Sequence, residues 1–240
     1  MCGRYFLHRP PAALAAYAEA VAGSNHPPSW NIAPTQESLV LRRHPQTGDR
    51  HLDALRWGLV PHWAKDATGA ARLMNARADG IAEKPSFREA FAKRRCLVPM
   101  DGFYEWRKDG DSKQAYAAAL ASGEPMLVAG LWEGWKQPDG SWLRSYTIIT
   151  TGSNPKQALV HERMPAILPP ELWDAWLGAE EATPEDLLAL LEPCPAEEMA
   201  IWPVDNRVGK FSENDARLLL RDPLAMPPAE LDDPPPVMPG

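Results

Sequence analysis

The chain has 240 residues, 45% of them apolar and 24% charged, enough for one sizeable domain with a real core. Its 32 acidic and 25 basic side chains give a formal charge of −7, which by itself argues against a nucleic-acid partner. No run of 18 apolar residues occurs, so no membrane-spanning helix is expected, and the cysteines at 2, 96 and 194 form no close pair of the kind a disulfide framework or a Cys-based zinc site uses. The expectation is a cytoplasmic protein without a cofactor.

In chain order, Ala12 to Ala22 reads as an amphipathic helix rather than a signal peptide, because Glu19 interrupts the apolar run and Pro10-Pro11 precedes it. Further helices are predicted at 86–94, with Ser86 and Glu89 as a capping box, at 170–177, at 184–192 with Thr183 as cap, and at 213–221 after Ser212. Strands rich in Val, Ile, Trp and Tyr are predicted at 38–43, 52–60, 96–106, 114–120, 126–135, 142–151, 163–168 and 199–204. Strands in the middle and helices in the last third imply a single α+β domain: a mostly antiparallel mixed sheet or open barrel with flanking helices. The domain is expected over 1–222, with a loose Pro-rich tail over 223–240.

Charge is unevenly divided. Residues 171–240 hold 16 acidic and 4 basic groups, a net −12, whereas residues 1–170 hold 16 acidic and 21 basic, a net +5. An acidic total can therefore hide a basic working groove.

Four places carry potential chemistry. Removal of Met1 would leave Cys2 with a free α-amine beside its thiol, a 1,2-aminothiol whose two groups titrate near ~7.7–8.0 and ~8.5 in model compounds. Such a pair condenses with an aldehyde to a Schiff base that the thiol closes into a thiazolidine. Position alone favours an incidental small apolar residue. Glu105 ends an apolar strand between Tyr104 and Trp106, where desolvation would suit it to acid–base work; the alternative is a sheet-edge glutamate paired with Arg107 or Lys108. His161 stands at a helix–strand junction, while His8, His26, His44, His51 and His62 read as surface residues without nearby partners, and no His-x-x-x-His spacing suggests zinc. Trp57 to Trp63 and Met74 to Asp79 bring together aromatics, an amide and a guanidinium of the kind that hold single-stranded nucleic acid. Trp132, Trp135, Trp142, Trp173, Trp176 and Trp202 are expected in the core.

Seven motifs in order, Met1-Cys-Gly-Arg-Tyr5, Asn31-Ile-Ala-Pro-Thr35, Trp57-Gly-Leu-Val-Pro61, Asn75-Ala-Arg77, Pro99-Met-Asp-Gly-Phe-Tyr-Glu-Trp106, Ala129-Gly-Leu-Trp-Glu133 and His161-Glu-Arg-Met-Pro165, closely resemble the SOS-response-associated peptidase family over about residues 1–210. The resemblance implies action on single-stranded DNA; a monomer is expected because nothing in the sequence suggests an obligate interface. The N-terminal cysteine would crosslink to the ring-opened aldehyde of an abasic site, with lyase and self-processing peptidase activities as accompaniments. It implies Cys2 as nucleophile, Asn75 positioning the sugar or the N-terminus, Glu105 orienting and deprotonating the α-amine, and His161 promoting opening of the deoxyribose ring. Arg4 and Arg77 resemble phosphate contacts, and Pro34, Trp63, Trp106 and Thr150 lining or stacking residues. Asp79 stands where the motif usually continues to glutamate. Pro85 stands where some members offer an arginine, leaving Lys84 or Arg88 to substitute. The alternatives are a cysteine peptidase with Cys2 and His161 as its pair, or a non-covalent single-strand binder. Association with the nucleoid during repair is expected.

Overall fold

The computed structural model describes residues 2–179, 181–229, 231 and 235. In chain order its first strands are β1 (Arg4–Leu7), β2 (Val21–Ala22), β3 (Ser29–Ile32), β4 (Glu37–Arg43), β5 (Arg50–Trp57) and β6 (Asn75–Arg77). They continue with β7 (Arg95–Met100), β8 (Gly102–Asp109), β9 (Ser112–Leu120), β10 (Met126–Lys136), β11 (Trp142–Gly152), β12 (Arg163–Pro165) and β13 (Met199–Val204). The helices are short: α1 (Pro11–Tyr17), α2 (Arg88–Lys93), α3 (Pro155–Ala158), α4 (Trp173–Leu177) and α5 (Pro184–Ala189).

Strands β11, β10, β7, β4 and β5 pair in that order, and parallel pairing of Ser145 with Arg56 and Tyr146 with Trp57 returns β5 to β11, closing a five-stranded barrel. Closure removes the exposed sheet edges that an open arrangement would leave. The sequence pattern allows a mixed sheet or an open barrel; the barrel instead closes, through a two-residue parallel seam that has no periodicity of its own. Short β6 adds to β11 alongside the seam. A second sheet, in the order β13, β9, β8, β1, β3, packs on the barrel. Its two faces alternate by residue: Phe103, Tyr116 and Ala118 join the main core, and Tyr104, Ala115, Ala117 and Ala119 join a smaller core with Trp202 and Val208. Strand alternation then aims Glu105, two residues after Phe103, at the barrel side.

The run 96–106, expected as one strand, is two. Asp101 breaks it, accepting the backbone amides of His8 at 2.7 Å and Arg9 at 3.2 Å and the Arg9 Nε at 2.5 Å, and Gly102 starts the strand of the other sheet. A Cβ at Gly102 would lie 2.2 Å from the Phe6 ring and 2.5 Å from the Ala118 carbonyl oxygen, so only glycine lets the sheets meet here.

Several expectations shift at element ends. The first helix stops at Tyr17, Glu19 adopts φ of 50°, and Val21–Ala22 pair with β5 instead of continuing the helix. Helix α2 starts at Arg88 without the Ser86 capping box, because Glu89 is drawn to Arg94 at 3.2 Å and His62 at 3.4 Å. Thr183 does cap α5, reciprocally with Asp186. The helix expected at 213–221 is a single 3-10 turn, Ala216–Leu219, capped by Asp215. Trp142, expected in the core, is 64% exposed, whereas Trp135, Trp173, Trp176 and Trp202 are buried. Leu224 and Met226 in the segment expected to be a loose tail are exposed, Leu231 is buried, and Pro234 and Pro236 lie outside the described residues. Among the described residues no helix is long and apolar enough to cross a membrane.

Candidate active site and nucleic-acid interface

Cys2 precedes β1, a strand hydrogen-bonded on both sides, to β8 and to β3. It is 1% exposed and belongs to the main core. Asn75, at the start of β6, donates from Nδ2 to the Cys2 carbonyl oxygen at 2.7 Å. The Asn75 Oδ1 is buried and has no hydrogen-bond partner among the described residues, so half of this amide points at nothing described. A buried acceptor without a donor costs about 1–3 kcal/mol, a cost usually tolerated where a ligand supplies the partner. Burial pushes the Cys2 thiol well above its ordinary range, and the nearby Glu105 charge pushes it the same way. With Met1 still attached, burial and Glu105 thus both disfavour the Cys2 thiolate.

Glu105 is buried in a strand with neighbours on both sides, β9 and β1, so it is not the sheet-edge glutamate of the alternative reading. It shares a cleft of about 740 Å³ with Trp106, Arg107, Lys108, Lys113, Val160, His161 and Glu162. His161 Nδ1 accepts the backbone amide of Arg163 at 3.1 Å; a neutral ring so held carries its proton on Nε2. A second cleft of about 380 Å³ begins at Asn75 and includes Arg72, Arg77, Lys84 and Phe87. Cys2 thus touches Asn75 of one cleft and senses Glu105 of the other.

The remaining expected residues divide. Arg77, Lys84 and Arg88 are exposed, and Arg77 and Lys84 line the second cleft. Trp63 is 57% exposed; Trp106 and Pro34 are half-buried. Arg4 is occupied elsewhere: it donates to Asn31 Oδ1 at 3.1 Å and to the carbonyl oxygens of Val208 and Gly209 at 3.3 and 3.1 Å. Thr150 is fully buried and holds Arg163, accepting its Nε at 3.3 Å and its Nη2 at 2.5 Å. Arg163, to which the sequence reading assigns no role, also bonds Asp79 at 3.0 Å, and Asp79 pairs with Arg77 at 2.9 Å. A buried arginine in a three-residue strand was the available signal, since such a charge needs partners to be tolerated. His8, His44 and His62 have partners after all: Asp101, the His51 ring, and Glu133 with Glu89. No metal-binding group of His, Cys, Asp and Glu side chains occurs among the described residues.

Residues 1–211 match the family model described as SOS response associated peptidase. The chain belongs to that family. It is 38% identical over 198 residues to the abasic site processing protein YoqW of Bacillus subtilis, covering 82% of this chain and 87% of that protein. It is 32% identical over 216 residues to the abasic site processing protein HMCES of Xenopus tropicalis, covering 78% of this chain and 64% of that protein. A crystal structure from Bacteroides thetaiotaomicron superposes with a TM-score of 0.84 at 27% identity, over 92% of this chain and all of that one. Four of the seven motifs read from the sequence hold Cys2, Asn75, Glu105 and His161.

Proposed function

We propose that this protein processes abasic sites in single-stranded DNA by forming a covalent thiazolidine through Cys2 once Met1 is removed. The observation that carries the reading is the convergence on Cys2 of an amide with a spare buried acceptor, Asn75, and a buried carboxylate, Glu105, which opens into the cleft of His161. Relatives named abasic site processing proteins supply the substrate class.

The steps follow from the groups. His161, donating from Nε2, assists opening of the deoxyribose ring and exposes the C1′ aldehyde. The α-amine of Cys2, made neutral by transfer of a proton to Glu105, attacks that carbon, and the carbinolamine loses water to give an imine. The thiol then adds across the C=N bond, its sulfur bonding to carbon and its proton passing to nitrogen, so the net product is thiazolidine plus one water. A thiol held protonated suits this order: the amine attacks first, and sulfur closes the ring without a free thiolate being stored. Arg72, Arg77 and Lys84 on one side and Arg107, Lys108 and Lys113 on the other would follow the phosphates.

A peptidase using Cys2 as a general nucleophile would want its thiol lowered, as in Cys–His pairs, and here the environment acts in the opposite direction. Self-processing that exposes Cys2 and cleavage of the DNA strand by a lyase step are compatible with the covalent reading.

The test is incubation of mature protein with a single strand holding one abasic site, read by denaturing gel and intact mass. Wild type should give a product heavier by the DNA less one water. Cys2→Ala should give none, and Glu105→Gln should slow its formation by about 100-fold, in line with loss of a general base. An undiminished, stable product from Cys2→Ala would overturn the mechanism.

A further inference from the structure

Glu171, Glu192, Glu197 and Glu198, from the acidic last third of the chain, gather with Glu124 round one groove. The groove holds about 710 Å³ and shares no lining residue with the clefts of Asn75 and Glu105. Its floor is apolar: Leu127 of β10, Ile167 and Leu168 after β12, and Trp173 of α4 are buried there, and Tyr17 of α1 meets the Trp173 ring edge-on at 5.6 Å. All five glutamates of the rim are exposed. No lysine, arginine or histidine lines the groove, and none of the five carboxylates is in an ion pair among the described residues. Cys194 in the wall feels the resulting field: burial first, and then the charges of Glu198 and Glu197, push its thiol up to about 12. Like charges held together without counter-charges repel, and a cationic occupant would relieve that repulsion.

The walls are set in advance. Pro125, Pro169, Pro170, Pro193 and Pro195 line them with fixed φ. The Trp173 indole donates to the Leu168 carbonyl at 2.8 Å, Leu168 N–H to the Leu127 carbonyl at 2.9 Å, and Ala121 N–H to the Glu198 carbonyl at 2.8 Å. A preformed concave surface spares its occupant the cost of ordering it. Prolines offer no N–H, so an occupant is held by side chains on the floor and charges at the rim rather than as an added strand.

The sign of the rim selects among occupants. Phosphates and anionic headgroups are repelled, so the groove does not extend the DNA surface. The chain's own end carries Glu230, Asp232 and Asp233, which have the same unsuitable sign. A protein segment with lysine or arginine on both sides of a large apolar residue satisfies floor and rim together.

We propose that this groove docks an extended basic segment of a partner protein, one large apolar side chain seated on the floor of Leu127, Leu168 and Trp173 and the flanking cations at the glutamates. No more than about 25 Å of chain separates Leu168 from His161, so a partner held here stands close to the DNA site and leaves both clefts open. The inference holds whether or not the covalent step does.

The experiment selects dodecapeptides from a randomised phage-displayed library on the immobilised full chain, then measures the enriched sequences, synthesised with a fluorescein label, by anisotropy. Enriched peptides should carry Lys or Arg on both sides of a Leu, Phe, Trp or Met. Joint Glu171→Lys and Glu197→Lys changes should weaken their binding by roughly 10-fold or more, and replacing the peptide's apolar residue with glycine should do the same. Glu171→Gln with Glu197→Gln, which only neutralises the rim, should give a smaller loss in the same direction and serves if the charge-reversed protein does not fold. Binding of single-stranded DNA should not weaken in either variant, which separates a lost groove from a damaged protein. Selection that yields no binder, binders without the basic and apolar pattern, or binding that survives both the rim and the glycine changes would overturn the proposal. Sedimentation showing a wild-type dimer that the charge reversal dissociates would assign the groove to a second copy of this chain and overturn the partner assignment. A protein that shows the expected peptide binding yet never crosslinks to an abasic site would sink the thiazolidine reading and leave this one standing.

Discussion

In a short peptide the thiol of cysteine titrates near ~8.5, but at position 2 the side chain is enclosed by the core and faces a carboxylate, and both influences disfavour the thiolate. Cys96 is raised by burial, and Cys194 is pushed up to about 12 by burial and by Glu198. Because only the thiolate alkylates, the reaction rate of each should climb with pH right through the range where a free thiol has already levelled off. Brief iodoacetamide treatment of the native protein at pH 8 should leave all three thiols unmodified by intact mass, while the same treatment in urea should modify all three. Residue types at the site were legible: an N-terminal aminothiol, a glutamate between aromatics and a histidine at a strand junction each announce a chemistry. What pairs them was not, because Asn75 to Cys2 and Glu105 to His161 span dozens of residues and depend on which face of β8 meets the barrel. Arg4 has a second set of partners that only the fold reveals: its guanidinium, given as a phosphate contact by the resemblance, also reaches the backbone carbonyls of residues 208 and 209.

Elements with strong alternation, β4, β5 and β9 to β11, sit within a few residues of where their apolar pattern puts them. Short or polar ones did not declare themselves. β6 is three residues, Asn-Ala-Arg, with one buried side chain, and it is a strand because β11 offers it a parallel partner. The corner between β7 and β8 was hidden for a related reason: Val, Met, Phe and Tyr on either side read as one apolar run, and the break is dictated by Asp101 gathering donors from the end of β1. Gly102 makes that corner possible. Gly102→Ala should therefore destabilise the fold by about 3 kcal/mol, the upper part of the range for overpacking, seen as a lower urea midpoint at unchanged m-value. An equal shift from Gly209→Ala, where an added Cβ meets nothing within 4 Å, would show that the close approach is not the cause.

For the whole molecule, the net −7 conceals two clefts lined by six basic side chains, while the last 70 residues carry 16 acidic groups. Binding to single-stranded DNA should weaken with salt, with log K falling against log[salt] at a slope of about −3, as for four or five neutralised phosphates. Paired Arg77→Ala and Lys84→Ala changes should flatten that slope, measured by anisotropy between 50 and 200 mM salt (about the usual working range); a slope near zero in wild type would mean the clefts do not track the backbone. The acidic remainder should disfavour coating of DNA at large.

β1 has a consequence of a mechanical kind. The residue two places before it is tied to a strand flanked by β8 and β3, so any pull on Cys2 directed along the strand is carried in shear by ladders on both sides at once. Inter-strand hydrogen bonds run across that direction and must yield together rather than one by one. Whatever becomes attached at position 2 is therefore moored to the interior of a sheet, and a motor hauling on it would have to tear the domain before it could slip the anchor.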